Sequence, residues 1–210
     1  MMDSRNRDDL RKRLKSKAMK KIEETFAGKE IHIIKAVNLL DDIDSAQNLL
    51  SESLEDWNSK KPDGAAAIAV SELTANCNAL KEERKSLQEF IEKEMNLDFP
   101  NVSSVATPII GAKLLSEAGS KKKLAFMPSS TIQLLGAEKA LFLHIKKKTS
   151  PPKHGYIFNH PLIQKLTKDK RGRASRILAG KISIAAKEDY FSGKLDPKLR
   201  LEAEEKINKL

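Results

Sequence analysis

Ser59-Lys60-Lys61-Pro62-Asp63-Gly64 separates two stretches of sequence that share one rhythm. The segment has turn chemistry throughout and cannot continue a helix. Before it, Ile33, Ala36, Leu40, Ile43, Gln47, Leu50, Leu54 and Trp57 alternate three- and four-residue spacings. After it, Ala66, Val70, Leu73, Cys77, Leu80, Arg84, Leu87 and Ile91 keep the same pattern. Such alternation is the seam of a coiled coil. The rise per residue gives helices of about 40 and 45–50 Å. Joined by so short a break, they are expected to fold back as an antiparallel hairpin over 31–97, with Leu40, Ile43, Leu50, Leu54, Leu73, Cys77, Leu80 and Leu87 along the seam. Gln47, Cys77 and Arg84 interrupt it; such residues either set register or are tolerated. Cys77 reads as a small buried hydrophobe.

Outward from the hairpin, residues 1–30 form an Arg- and Lys-rich N-terminal segment, read as a helix over 5–30 that ends near Gly28. On the other side, the composition shifts at Phe99-Pro100-Asn101. A helix is expected over 102–119, closed by Gly119, with Lys121 to Lys123 in the following loop. Pro128-Ser129-Ser130-Thr131 carries N-cap chemistry for a helix through about Lys146. Lys146 to His160 reads as loop or short extended structure, Pro161 opens a short helix, and Arg171-Gly172-Arg173 precedes a last long helix ended by Gly193. Residues 98–195 thus form a compact helical domain and 196–210 a helical tail. The fold class is all-α: only 5% of residues are aromatic, and Ala, Leu, Ile, Lys and Glu dominate.

Residues 1–100 hold 17 Lys and Arg against 20 Asp and Glu, and residues 101–210 hold 22 against 9, so the halves carry −3 and +13. A half at +13 attracts a polyanion, nucleic acid first among them, although lysine that only maintains solubility has the same composition. The single cysteine excludes an intramolecular disulfide and fits a reducing, cytoplasmic compartment. No apolar run reaches membrane-spanning length, and the basic segments lack the Trp and Phe face of a membrane-surface helix.

Catalytic constellations are missing from the sequence. It has no phosphate-cradling glycine loop and no nucleophile elbow, and its histidines, at 32, 144, 154 and 160, lack zinc spacing. No enzyme activity, cofactor or metal is therefore expected. In the last helix, Arg173, Arg176, Gly180, Ser183 and Lys187 share one stripe, while Ala174, Leu178, Ile182, Ala185 and Ala186 face the other way. Gly180 lowers helix stability by about 1 kcal/mol relative to Ala, so its place in the stripe points to close approach by something bulky. An ordinary amphipathic helix with a solvated basic side explains the stripe equally well. Lys121 to Lys123, Lys146 to Lys148, Lys153 and Lys165 to Arg173 repeat the basic signal in loops and helix ends, where cations and free N–H groups reach phosphates.

The stretch from Met127 to Phe142, MPSSTIQLLGAEKALF, closely resembles the signature of the Nop domain, found in the core proteins of box C/D guide ribonucleoproteins and in a related pre-mRNA splicing factor. Pro152-Lys153-His154-Gly155-Tyr156-Ile157, His160-Pro161-Leu162-Ile163, Arg171-Gly172-Arg173-Ala174-Ser175-Arg176 and Lys181-Ile182-Ser183-Ile184-Ala185-Ala186 follow in family order. Ile31-His32-Ile33-Ile34-Lys35-Ala36, Leu40-Asp41-Asp42-Ile43-Asp44 and Asn48-Leu49-Leu50-Ser51 resemble the family's coiled-coil module. The resemblance implies a homodimer through the rod and a domain that binds a kink-turn RNA already held by a small ribosomal-type protein, in guided RNA 2′-O-methylation and rRNA processing. From the basic segments and the helix stripe, RNA contacts are expected at Lys153, His154, Asn159, His160, Arg171, Arg173, Arg176 and Lys187, and the resemblance implies contacts to the partner protein and adjoining RNA at Gln133, Gly136, Ala137, Glu138 and Lys139. Without the family, Gly136 to Lys139 reads as an ordinary helix interior.

Members of the family that guide methylation carry an N-terminal domain that docks fibrillarin, the methyltransferase, whereas this chain begins at the helix before the rod. Fibrillarin is therefore a doubtful partner, and a module that binds the kink-turn complex without recruiting the methyltransferase is the alternative expectation. The rod is also shorter than is usual for the family. The end at Leu210, without a long Lys-rich tail, matches an archaeal-like member.

Overall fold

The computed structural model describes residues 11–19 and 28–210. Residues 11–19 are helical, and the rest of the first helix expected before Gly28 lies outside the described residues. No strand occurs among the described residues, as the composition requires. Helices α1 (Glu30–Ser59) and α2 (Gly64–Asp98) form the antiparallel rod. Their 30 and 35 residues make them about 45 and 52 Å long, slightly longer than the seam alone indicated. Gly64 takes φ +47° where the chain reverses.

The rod is not uniformly apolar inside. At its base, Ile33, Ala36, Val37, Leu40, Ile91 and Met95 join the main core, whereas Leu54, Val70 and Cys77 form a small separate cluster toward the tip. Ile43, Leu80 and Leu87 are half-buried, and Leu50 and Leu73 lie at the surface. Arg84 explains one interruption of the seam: it crosses to Asp44 of α1, with Nη2 donating to Oδ2 at 3.3 Å. That pair fixes the register of α1 against α2.

The chain then packs α3 (Pro100–Ala106), α4 (Pro108–Ala118), α5 (Lys121–Phe126), α6 (Ser129–Leu134), α7 (Glu138–Lys147), a 3-10 turn (Tyr156–Asn159), α8 (Pro161–Gln164), α9 (Lys168–Phe191) and α10 (Pro197–Asn208). α9 is the central element, packed against α3, α5, α6 and α10. Ala174, Leu178, Ile182, Ala185 and Ala186 of α9 are buried, as the periodicity predicted, and Ala179 joins them. Close packing of α4 against its neighbours uses Gly111, where a Cβ would lie 2.8 Å from Val102 Cγ1 and 2.9 Å from Met95 Cε.

The structure corrects several boundaries. The helix expected over 102–119 breaks at Thr107, which adopts φ +73° before Pro108. Lys121 to Lys123 are not loop but the first turn of α5, whose N-cap Ser120 accepts from Lys123 N at 3.2 Å. Arg171-Gly172-Arg173 does not precede the long helix but lies within it, because α9 starts at Lys168. Ser183 is buried rather than part of an open basic stripe, with its hydroxyl toward Met127 O. The tail is integral to the body, since Leu199, Ala203 and Ile207 of α10 are buried in the main core.

One polar centre braces this body internally and another anchors it to the rod. Asp189 of α9 is buried and caps the start of α3: one oxygen accepts from Asn101 N and Nδ2 at 2.9 and 2.8 Å, the other from Val102 N at 2.8 Å. Asn101 in turn donates to Lys194 O and accepts from Asp196 N, both at 2.7 Å. Burial raises the Asp189 pKa, and the three donated hydrogen bonds oppose the rise. On the other side, Lys113 of α4 pairs with Asp41 of α1 at 2.6 Å.

Candidate nucleic-acid interface

The expected single helix from Pro128 to Lys146 is two helices, and the break between them builds the site. Leu135, Gly136 and Ala137 leave helical geometry, with Gly136 at φ +86°. A side chain there would be strained and would also strike the Tyr156 ring at 2.6 Å. Gly136 N donates to the Glu138 carboxylate at 2.7 Å, and Ala137 N donates to Leu134 O at 2.9 Å. Gly136 to Lys139 is therefore a turn and the start of α7, not a helix interior. Glu138 and Lys139 both project at the surface.

Residues 153–156 pair alongside this break. Gly155 N donates to Gln133 O at 2.9 Å, Tyr156 N to Leu135 O at 2.8 Å, and Gln133 Nε2 to Lys153 O at 2.6 Å. Gly155 is required by this contact, because a Cβ would overlap the Leu135 carbonyl oxygen and lie 2.6 Å from its carbon. The pairing brings Lys153 to α9, where Gly172 leaves room: a Cβ there would be in ordinary contact with the lysine stem at 3.5 Å. A cleft of about 430 Å³ results, lined by Gln133, Ser150 to Lys153, Asp169, Gly172, Arg173 and Arg176. Three cations face one carboxylate across it. Asp169, which the sequence did not single out, has its pKa held below the usual range, above all by the Thr167 hydroxyl.

The other expected RNA contacts divide. His154 stacks on Phe158 with centroids 4.6 Å apart and planes 11° from parallel. Its Nδ1 is buried without a partner. Desolvation, reinforced by Arg171 and Lys153, holds its pKa below the ordinary histidine value. Arg171 is turned inward: Nε donates to Leu166 O at 2.9 Å, Nη2 to Gln164 O at 3.3 Å, and the guanidinium lies 5.4 Å from the Phe158 centroid. His160 is only 6% exposed and serves as N-cap of α8, its Nδ1 accepting from Leu162 N at 3.2 Å. Burial lowers its pKa against the opposing hydrogen bond to the Val105 backbone. Asn159 is exposed at the end of the 3-10 turn, and Lys187 is exposed about 21 Å along α9 from Arg173. The structure thus gathers Gln133, Lys153, Arg173 and Arg176, and leaves His160 and Lys187 outside the cleft.

Next to the break, Ser130, Thr131, Leu134, Leu135, Glu138 and Leu141 line an apolar groove of about 300 Å³. α7 has no buried residue, and Phe142, Leu143 and Ile145 are exposed along it. A helix ending in Lys146 and Lys147, with Lys148 at its C-cap, offers apolar and cationic surface together. No cluster of metal-ligating side chains occurs among the described residues, and no helix among them is long and apolar enough to cross a membrane.

Rod, helical body and cationic cleft define an all-α protein. Residues 31–209 match the family model Nop, described as "snoRNA binding domain, fibrillarin", and the chain belongs to that family. An uncharacterized NOP5 family protein of Methanocaldococcus jannaschii is 42% identical over 166 residues, 79% of this chain and 37% of the relative. Nucleolar protein 56 of Caenorhabditis elegans is 42% identical over 123 residues, 59% of this chain and 25% of the relative. The human nucleolar protein 56 is 37% identical over 145 residues, 67% of this chain and 24% of the relative. The matches thus span little more than a third of these relatives' length at most. The crystal structure of a fibrillarin/Nop5p complex aligns with 100% of this chain and 81% of its own, at TM-score 0.72 and 31% identity. The doubt about fibrillarin drawn from the sequence finds no support in these matches, since fibrillarin appears both in the family description and in that complex.

Proposed function

We propose that this chain is an RNA-binding scaffold of a box C/D-type ribonucleoprotein, which recognises a kink-turn RNA together with its ribosomal-type binding protein in guided 2′-O-methylation. The observation that carries this reading is the cleft itself: the signature break at Gly136 and the cations Lys153, Arg173 and Arg176 lie side by side, joined through Gln133. The cations suit phosphates, which give affinity without sequence information. The apolar groove and exposed α7 suit a protein surface. A composite ligand fits both at once.

In this reading Lys153, Arg173 and Arg176 bind phosphate, and the ring of His154, uncharged at neutral pH and stacked on Phe158, lines the RNA side. Gln133, Gly136, Ala137, Glu138 and Lys139 meet the partner protein and adjoining RNA. The rod pairs with a second copy, for which exposed Leu39, Leu49 and Ile68 offer apolar surface, and fibrillarin belongs to the same particle. Gel-shift titration with a kink-turn RNA, with and without the ribosomal-type protein, tests the reading. Affinity is expected to rise when the protein is present. Neutralising about four to six phosphates gives a slope of log affinity on log salt of roughly −3 to −5. Equal, weak binding to any RNA, unaffected by the protein, refutes the composite surface.

A further inference from the structure

Phe126, Tyr190 and Phe191 form an aromatic cluster at the far end of α9, outside the cleft described above. The ring centroids are 5.8 Å (Phe126–Tyr190), 6.0 Å (Phe126–Phe191) and 5.0 Å (Tyr190–Phe191) apart, and the planes meet at 74°, 78° and 83°. Three rings packed edge to face hold one another in place. They are 59%, 38% and 70% exposed. Ten aromatic residues occur in the whole chain, so three in one solvent-facing cluster is a concentration that packing does not explain.

The surroundings are cationic. The two segments that carry the rings, 121–127 and 184–194, contain five lysines and two acids. Of the acids, Asp189 is buried in its capping role, and Glu188 is engaged by the Ser192 hydroxyl at 3.2 Å. Lys122, Lys123, Lys187 and Lys194 are exposed. The cluster is also continuous with the cleft. Counting about 100° per residue, Arg173, Arg176, Gly180, Ile184, Lys187 and Phe191 fall within about 80° on α9 and cover about 27 Å. Midway, Gly180 would meet nothing within 4 Å if it carried a Cβ. No neighbour in the fold demands glycine there, so the helix leaves an open surface between cations at one end and aromatic rings at the other.

We infer that the Phe126–Tyr190–Phe191 cluster is a stacking platform for a single-stranded RNA segment that leaves the cleft along this stripe of α9. Exposed rings flanked by lysine bind unpaired bases by stacking and their phosphates by charge, with little dependence on sequence. The stripe accounts for Lys187, which the cleft does not use. The inference rests on the RNA-binding reading of the cleft.

The test uses the full chain with Trp57→Phe, which removes the rod's own indole, and Phe191→Trp as the reporter. A 12-nucleotide oligoadenylate should quench the reporter. Phe126→Ala and Tyr190→Ala should each weaken that binding by about five- to tenfold. A compact kink-turn RNA without single-stranded extensions should bind the ring variants as it binds the parent, which also checks that they are folded. Absence of quenching, with kink-turn binding intact, overturns the platform alone. A reporter that responds only to added ribosomal-type protein also overturns it, in favour of a protein contact. Failure of both RNAs removes the reading of the cleft as well.

Discussion

Gly155→Ala tests whether the loop at 153–156 is positioned by its pairing with the Gly136 break. The new Cβ overlaps the carbonyl oxygen of Leu135 and lies 2.9 Å from that of Leu134, so backbone rather than a flexible side chain has to yield. The loop must then lift. It loses Gly155 N–H to Gln133 O at 2.9 Å, Tyr156 N–H to Leu135 O at 2.8 Å and Gln133 Nε2–H to Lys153 O at 2.6 Å. Net contributions of about 0.5–1.5 kcal/mol per bond put the cost at about 2–4 kcal/mol. For a chain of this length that is a fall in Tm of about 5–15 °C. Lys153 also leaves the cleft, so the salt slope of RNA binding should become less negative by about 0.9, the value of one phosphate contact. Urea unfolding followed by circular dichroism measures the first effect, and gel shifts at several salt concentrations the second. Lys153→Ala is the control: it should reproduce the change in slope without the loss of stability. A Gly155→Ala protein within about 0.5 kcal/mol of the parent, with unchanged affinity and slope, would refute the account of how the cleft is assembled.

Arg173→Ala and Arg176→Ala should each weaken kink-turn RNA binding and flatten the salt slope by about 0.9, with little effect on urea unfolding because both side chains are exposed; unchanged affinity for either variant removes that residue from the site. Asp189→Asn replaces an acceptor with an amide beside three N–H donors, and should cost about 1–3 kcal/mol in urea unfolding. His154 and His160 have folded pKa values below the ordinary 6.5, so the unfolded chain binds protons first. Stability is then fully present above about pH 6.5 and is lost as pH falls toward the folded values. His154→Phe keeps the stack on Phe158 and should shrink the decline in a pH series of unfolding curves; an unaltered decline argues against a contribution from His154.

The rod was legible because its signal is local: three- and four-residue spacings on either side of a break with Pro and Gly specify two helices and their reversal. Its thin packing was not, since the same leucines serve a filled seam or an exposed one. Leu54 is buried while Leu50, one turn away, lies at the surface. The break at Gly136 was hidden for a related reason. A lone Gly among good helix formers lowers stability by only about 1 kcal/mol, and it is the Tyr156 ring and the Gly155 pairing, distant in sequence, that open the helix there. Of the basic residues, only identity could be read. Arg173 and Arg171 look alike in the sequence, yet one lines a cleft and the other caps the carbonyls that end α8. For His160 a usable sign did exist: a polar residue immediately before a helix-opening Pro is in the N-cap position, and that is its role. Asp189 also carried a sign, as an acid on the packed side of α9.

Tyr156 connects the cleft to the rod. Its ring fills the space that Gly136 leaves, its hydroxyl donates to Glu117 of α4 at 2.9 Å, and Lys113, 5.7 Å from the ring centroid, is paired to Asp41 of α1. Desolvation, with Glu117 adding to it, pushes the tyrosine pKa up to about 12, so the hydroxyl remains a donor throughout the physiological range. The geometry of the signature turn is therefore set by α4 and the rod as well as by its own residues. If, as proposed, paired rods hold two RNA–protein surfaces, such a connection sets the distance and orientation between the two bound ligands, which a loop free to move relative to the rod would not. The Asp189–Asn101 centre ties the helix that carries Arg173 and Arg176 to α3, and the Ser103 hydroxyl of α3 donates to Met95 O of α2 at 2.9 Å. Each wall of the cleft is thus joined to the rod through a chain of polar contacts, which stiffen the fold between them.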